Sequence, residues 1–296
     1  LNPLSYNYEN SAYSLNYFFE HKDPLLVSLN LSAAKDLIDQ NQLNNLDLKD
    51  ITETDSLNIE LMLFSPPNKD LSFAIGYAQE KQKVNYSSFG TQFQKKINTN
   101  SFLTEGKIKI KNNLVRVKLR FSNHDLYSSH KSWNIGYKKK LNPLWSIRLN
   151  GGSAFRSPNT SELYGYGSNI NLHPEVSKGQ EFAIEKTGNL SVFSLVAFNN
   201  DIKNLINFNF DANMLKNIKN SNTRGFEIRY LWKERPINGR LLLRYQDPKD
   251  EAGLQLLRRS KKSLSLNLYR DLSFGTLNLN LSAFDKRRDF GELSSS

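Results

Sequence analysis

Apolar and polar side chains alternate at every second residue along most of this chain, and few folds tolerate that pattern. Leu25, Val27, Leu29 and Leu31 alternate with mostly small or polar residues, as do Leu57, Ile59, Leu61 and Leu63, then Leu71, Phe73, Ile75 and Tyr77. Val115, Val117, Leu119 and Phe121 are separated by Arg116, Lys118 and Arg120. The series continues through Phe226, Ile228, Tyr230 and Trp232 to Leu264, Leu266 and Leu268 and to Leu277, Leu279 and Leu281. A period of two places the two sets on opposite faces of a β-sheet. Helical spacing is nearly absent. The best helical stretch, Ser32 to Asn41, is short and reads as part of a loop.

About fourteen strands follow, most of them near the nine to eleven residues that a tilted membrane strand needs. Their approximate spans are 10–21, 23–35, 54–65, 70–86, 101–111, 113–122, 130–140, 144–155, 176–187, 190–202, 222–233, 238–247, 261–271 and 274–285. Short turns are expected near His21–Pro24, Ser65–Lys69, Asn112–Asn113, Lys140–Pro143, Gly188–Asn189, Glu234–Ile237 and Asp271–Ser273. Longer loops are expected near 36–53, 87–100, 123–129, 156–175, 203–221 and 248–260. Short and long connections in alternation are the pattern of an antiparallel up-and-down barrel with tight turns at one rim and large loops at the other.

Alternation leaves open which face is wet. Strand number decides it, because fourteen long strands enclose a lumen too wide for side chains to fill. The apolar set therefore faces lipid, and the charged set (Arg116, Lys118, Arg120, Glu227, Arg229, Arg240, Arg244) lines water. Composition agrees: hydrophobic residues are only 38%, yet 18 Phe and 13 Tyr are present, so thin apolar surface is carried by large rings. Trp145 and Trp232 lie beside short turns, where an aromatic girdle is expected.

Other classes find little support. The net charge of +11 is scattered, with no compact basic patch, so no nucleic acid is expected as a partner. The absence of cysteine excludes disulfides, thiolate zinc sites and a Cys nucleophile. No apolar run is long enough for a membrane helix, and no signal peptide is visible. His124 and His130 share one loop but lack a third ligand, and Asp247, Asp250 and Glu251 read as a solvated loop rather than a calcium site. No metal site is expected. Neither a G-x-S-x-G elbow nor a phosphate-binding glycine loop occurs, and Ser128, Ser129 and His130 follow no catalytic spacing. Enzymatic activity and cofactors are not expected.

From Ser146 the chain carries Phe155, Arg156, Ser157 and Pro158 at the end of a strand, then Leu163 and Tyr164, then Asn169, Leu172, Pro174 and Glu175, then Ser177 and Glu181. Phe198 to Ile206 reads FNNDIKNLI, Gly225 and Glu227 form a Gly-x-Glu pair, and Leu257, Arg258, Arg259 and Lys261 follow. In this order the stretches resemble TonB-dependent outer-membrane receptors, and the last is most similar to their cobalamin (vitamin B12) branch. The likeness is clear over about 113–290 and rests on strand pattern alone before that. It implies an all-β transmembrane barrel of about 22 strands around an N-terminal plug. Residues 1–296 are then expected to be a partial barrel of about fourteen strands, with plug, TonB box, earliest strands and closing strands outside this sequence; opening on Leu1 fits that expectation.

The resemblance further implies import of a scarce ligand, cobalamin or another corrinoid, with energy from the TonB complex acting through the plug. A ferric-siderophore receptor and a passive porin-type channel are the alternatives, and a soluble β-rich binding domain is a third. Partners implied are the ligand, TonB, and the lipid and lipopolysaccharide of a Gram-negative outer membrane. Tyr127, Arg156, Tyr164, Tyr166, Asn169 and Asn171 are the candidate ligand contacts, all at the long-loop rim. Aromatic rings suit the apolar area of a corrinoid and amides suit its peripheral carboxamides. Loop packing competes for the same side chains.

Overall fold

The computed structural model describes residues 4–20, 25–42, 45–66, 70–88, 91–165, 167–234 and 236–288. Fourteen strands form one antiparallel sheet in strict sequence order: β1 (Leu4–Glu20), β2 (Leu26–Gln42), β3 (Asn45–Phe64), β4 (Leu71–Ser88), β5 (Thr91–Ile110), β6 (Asn113–His124), β7 (Ser128–Lys140), β8 (Trp145–Arg156), β9 (Glu175–Thr187), β10 (Ser191–Asn209), β11 (Met214–Glu234), β12 (Ile237–Asp250), β13 (Lys262–Leu272) and β14 (Gly275–Phe284). Among the described residues one helix, α1 (Thr160–Tyr164), lies between β8 and β9. Each strand pairs with its sequence neighbours, so the sheet is open and β1 and β14 each keep a free edge.

Register carries the alternation from strand to strand. Leu61 pairs with Leu29 and Tyr77, Tyr77 with Phe102, and Phe102 with Phe121. Leu149 pairs with Tyr137 and Phe182, and Ile228 with Leu195 and Leu243. Leu266 pairs with Leu241 and Leu281. Because paired residues share a face, every apolar row joins one continuous band on one side of the sheet. The side chains of Ile75, Phe102, Ile135, Leu149, Phe182 and Phe226 lie exposed there, as the core of a soluble globule never would.

Aromatics bound the band at both ends. Tyr77, Phe102, Phe121 and Trp133 lie towards one rim, and Phe193, Tyr230, Trp232 and Trp145 lie beside the short turns at the other. Trp232 stacks on Tyr230, and its ring covers Gly239 on the neighbouring strand so closely that a Cβ there would sit 2.1 Å from it. The two tryptophans thus stand where the sequence places a girdle.

The opposite face is polar and ion-paired. Glu105 meets Arg116 at 3.1 Å and Lys118 at 2.8 Å, and Lys138 meets Glu185 at 2.7 Å. Glu227, only 4% exposed, is held between Arg229 of its own strand and Arg244 across the ladder. The Gly-x-Glu pair acquires a physical reason here. At Gly225 a Cβ would fall 2.0 Å from the Tyr245 carbonyl oxygen and 3.0 Å from the Phe198 ring, so only glycine lets β12 and the ring approach.

Several expected loops are strands instead. The stretch Ser32–Asn41 belongs to β2, not to a helix or loop, and the expected loops at 36–53, 87–100 and 203–221 are largely taken up by β2–β5, β10 and β11. Both faces are polar above the band, so apolar periodicity ends there while pairing continues. Cross-strand contacts such as Lys35–Glu53 at 2.6 Å and Asn85–Glu53 at 2.9 Å replace lipid contact on the outward side. Long connections remain at 157–174 and 251–261.

Leu149 lies five residues above the Leu141–Leu144 turn, near the middle of the apolar band. Replacing it with Arg is expected to cost about 2–4 kcal/mol of stability in bilayers, whereas Asn150→Arg, facing Glu181 on the polar side, costs about 1 kcal/mol or less. Denaturant unfolding of the full-length protein in lipid vesicles measures both, and equal costs would contradict the assignment of faces.

Candidate functional site

The rim away from the short turns is shaped by the 157–174 connection. Asn159 caps α1: its Oδ1 accepts from the Glu162 backbone N–H at 2.8 Å, and the Glu162 carboxylate accepts from the Asn159 N–H at 2.8 Å. This reciprocal pair satisfies two donors that a helix start leaves open. Arg156 then binds the cap to the sheet. Its Nε and Nη2 both donate to Glu175 at 2.8 Å, and Nη1 donates to Glu162 at 3.0 Å. One planar guanidinium thereby joins the end of β8, the start of β9 and the first turn of α1, a fork that lysine cannot reproduce.

From this anchor the connection crosses the polar face in both directions. Tyr164 packs against Phe93 of β5, ring centroids 5.2 Å apart, with Lys95 Nζ 4.8 Å from its ring. On the other side Asn169 Nδ2 donates to the Leu215 carbonyl at 3.0 Å, and the His173 N–H donates to Asn217 Oδ1 at 2.8 Å. The segment therefore spans β5 to β11 as a lintel. Contact between α1 and a strand three places away shows that the polar face is the concave one.

Under the lintel lies a cavity of about 330 Å³ floored by β4–β7 and roofed by Phe155–Asn159. The β7–β8 ladder ends at Trp133–Ser153, although β7 begins at Ser128 and β8 runs on to Arg156. In that parting the His130 imidazole stacks on Phe155 at 3.6 Å. His130 Nε2 donates to the Tyr127 carbonyl at 2.7 Å, while His124 Nδ1 accepts from the Leu126 N–H at 3.2 Å. Burial lowers the His124 pKa, which keeps the ring neutral and its acceptor available. Burial likewise pushes the Tyr127 phenol up to about 12, aided by Tyr164 and Glu162, so it stays a neutral hydrogen-bonding group.

The candidate residues fall into separate roles. Arg156 lines the cavity with most of its donors already committed, Tyr127 lies near Glu162 and Tyr164, and Tyr164 is part of the α1–β5 contact. Asn169 faces β11 and also accepts from the Asn171 N–H at 2.9 Å, leaving Asn171 exposed beyond the lintel. Tyr166 lies outside the described residues. The cavity floor, with Glu80, Thr99, Arg120 and Ser122, carried no motif. Only the strand register could have brought it to notice, since Glu80, Thr99 and His124 share one row.

A long-stranded up-and-down sheet with a lipid-type band outside and paired charges within is the wall of a transmembrane β-barrel of the outer-membrane kind. Residues 2–291 match the family described as TonB dependent receptor-like, beta-barrel, and the chain belongs to that family. It is 28% identical over 157 residues to the vitamin B12 transporter BtuB of Vibrio cholerae, covering 52% of this chain and 26% of that protein. The BtuB of Vibrio vulnificus is 26% identical over 157 residues, with 51% and 26% covered. Among solved structures, the ferric enterobactin receptor PfeA of Pseudomonas aeruginosa matches with a TM-score of 0.79 at 16% identity, over 96% of this chain and 50% of that one. The siderophore receptor PirA of Acinetobacter baumannii matches at 0.76 and 17%, over 96% and 52%. The matches thus take in about a quarter of the curated relatives and half of the solved chains.

Burial opposes ionisation of Glu175, but the Arg156 hydrogen bonds and charge and the Ile206 N–H bring its pKa below the ordinary 4.5. A depressed carboxyl contributes stability above its unfolded value and loses it as pH falls through the folded one. Hydrogen-exchange protection of 157–174 should therefore hold from neutral pH to about 5 and decline below 4.5. At pH 7, Arg156→Lys should speed exchange there by about tenfold, the loss of one charged hydrogen bond. Unchanged exchange would show that the lintel is held elsewhere.

Proposed function

We propose that this chain is the membrane-spanning wall of a receptor that imports a scarce nutrient across a Gram-negative outer membrane, and that the nutrient is a corrinoid of the cobalamin type. Further strands complete the barrel at the free edges of β1 and β14, since unpaired edges are not tolerated in lipid. A plug fills the lumen and passes energy from TonB, and lipid and lipopolysaccharide surround the apolar band. The observation that carries the ligand is the 28% identity to a vitamin B12 transporter over 157 residues, more than half of this chain. The aromatics and amides of the rim, Tyr127, Tyr164, Asn169 and Asn171, with Arg156, are the proposed contacts.

Equilibrium binding by the full-length receptor, as its gene encodes it, tests the ligand. Cyanocobalamin is expected to bind at nanomolar to micromolar concentration, and ferric enterobactin is not expected to compete. Competition by the iron chelate with no corrinoid binding would replace the ligand with a siderophore. Cellular uptake tests the mechanism: corrinoid accumulation should cease without TonB. Uptake that persisted at high concentration in its absence would mark a passive channel.

A further inference from the structure

The cavity roofed by Phe155–Asn159 brings together polar groups of which the fold uses only some. Arg120 donates from Nε to Ser122 at 3.1 Å and from Nη2 to Ser101 at 3.0 Å, which fixes the guanidinium against the wall. Its Nη1 has no acceptor among the described residues. Glu80, two rows nearer the rim, makes no hydrogen bond or ion pair with a described residue, and the Gln82 amide and Thr99 hydroxyl beside it are equally uncommitted. Ser101 pairs with Ser122 and Thr99 with His124, so small hydroxyl side chains separate the free donor from the free acceptor.

The charge balance restricts what this arrangement accepts. Arg156 reaches the cavity, but Glu162 and Glu175 neutralise it. The remaining pair, Arg120 and Glu80, sums to zero. A carboxylate or phosphate gains at Arg120 and is repelled at Glu80, and a cation meets the reverse. A neutral group with both donors and acceptors satisfies both ends, and a primary carboxamide does so with one carbonyl and one NH2. Phe155, Ile97 and Pro158 offer apolar surface for the methylenes that carry it. A volume of about 330 Å³ suits one side arm rather than a whole corrinoid.

We infer that this cavity is the subsite for one carboxamide arm of the ligand, with the Glu80 carboxylate accepting from its NH2 and the Arg120 Nη1 donating to its carbonyl. The inference rests on the corrinoid reading above. It makes Glu80 a specificity-determining residue that distinguishes an amide from the corresponding acid.

The test compares cyanocobalamin with its purified monocarboxylate derivatives, in each of which one arm is hydrolysed, on the full-length receptor. The unaltered receptor should bind one of these acids at least about tenfold more weakly than cyanocobalamin. Glu80→Gln, close in shape, should shrink that ratio to about threefold or less, because the repulsion is gone. Arg120→Gln should weaken cyanocobalamin binding by about tenfold, and heat-modifiable migration of both variants checks that the barrel has formed. If folded Glu80→Gln leaves every acid-to-amide ratio unchanged while cyanocobalamin still binds, the subsite is refuted and the receptor reading stands. If the unaltered receptor binds no corrinoid, both fall.

Discussion

Backbone amides in lipid have no water to bond, and every structural decision in this chain follows from that constraint. A strand in the hydrocarbon region must find both neighbours, so pairing is continuous from β1 to β14. Pairing without slippage then forces each residue of a row onto one face. The sequence answers with apolar residues on one side of the rows and small or charged residues on the other. A one-residue slip anywhere would move arginines into lipid, so side-chain chemistry and hydrogen-bond register enforce each other.

Above the apolar band the constraint relaxes, because water satisfies what the sheet does not. Strands nevertheless continue, held by polar cross-strand contacts on both sides. At this level the rim also departs from the ladder. β7 and β8 part after Trp133–Ser153, a histidine–phenylalanine stack enters the parting, and the connection to β9 turns inward as a helix. Arg156 makes that possible by joining three elements through one side chain. Its position after an aromatic and before Ser-Pro fits the role: Pro158, fully buried, ends the strand, and Asn159 immediately caps the helix.

The legibility of the sequence follows the same division. Strand number, order and facing were readable because lipid and lumen impose different chemistry on alternate residues, and Trp145 and Trp232 marked one rim. Lengths were not readable, because Asp36, Asp39, Lys49 and Asp50 look like a loop when neither face needs to be apolar. The motif around Arg156 marked the connection between β8 and β9, but the hydrogen bonds by which Arg156 and Asn169 hold it were not legible, because their partners Glu162, Glu175 and Leu215 lie six to 46 residues away. Glu80 and Arg120, forty residues apart, carry no local signal. They come to line one cavity only through the register of three strands, which periodicity alone does not number.

The charged half of the sheet follows an economy of its own. Glu105 and Glu227 each serve two cations, and Glu185 accepts both Lys138 and the Ser146 hydroxyl. Removing one partner from a buried pair is far more costly than removing one from an exposed pair, and Glu227 is the buried case. Two arginines converging on one carboxylate leave a positive excess at the wall even when every contact is made. The lumen is thus both braced and polarised by the same residues, and the neutral balance of Glu80 against Arg120 stands out because the wall around it leans the other way.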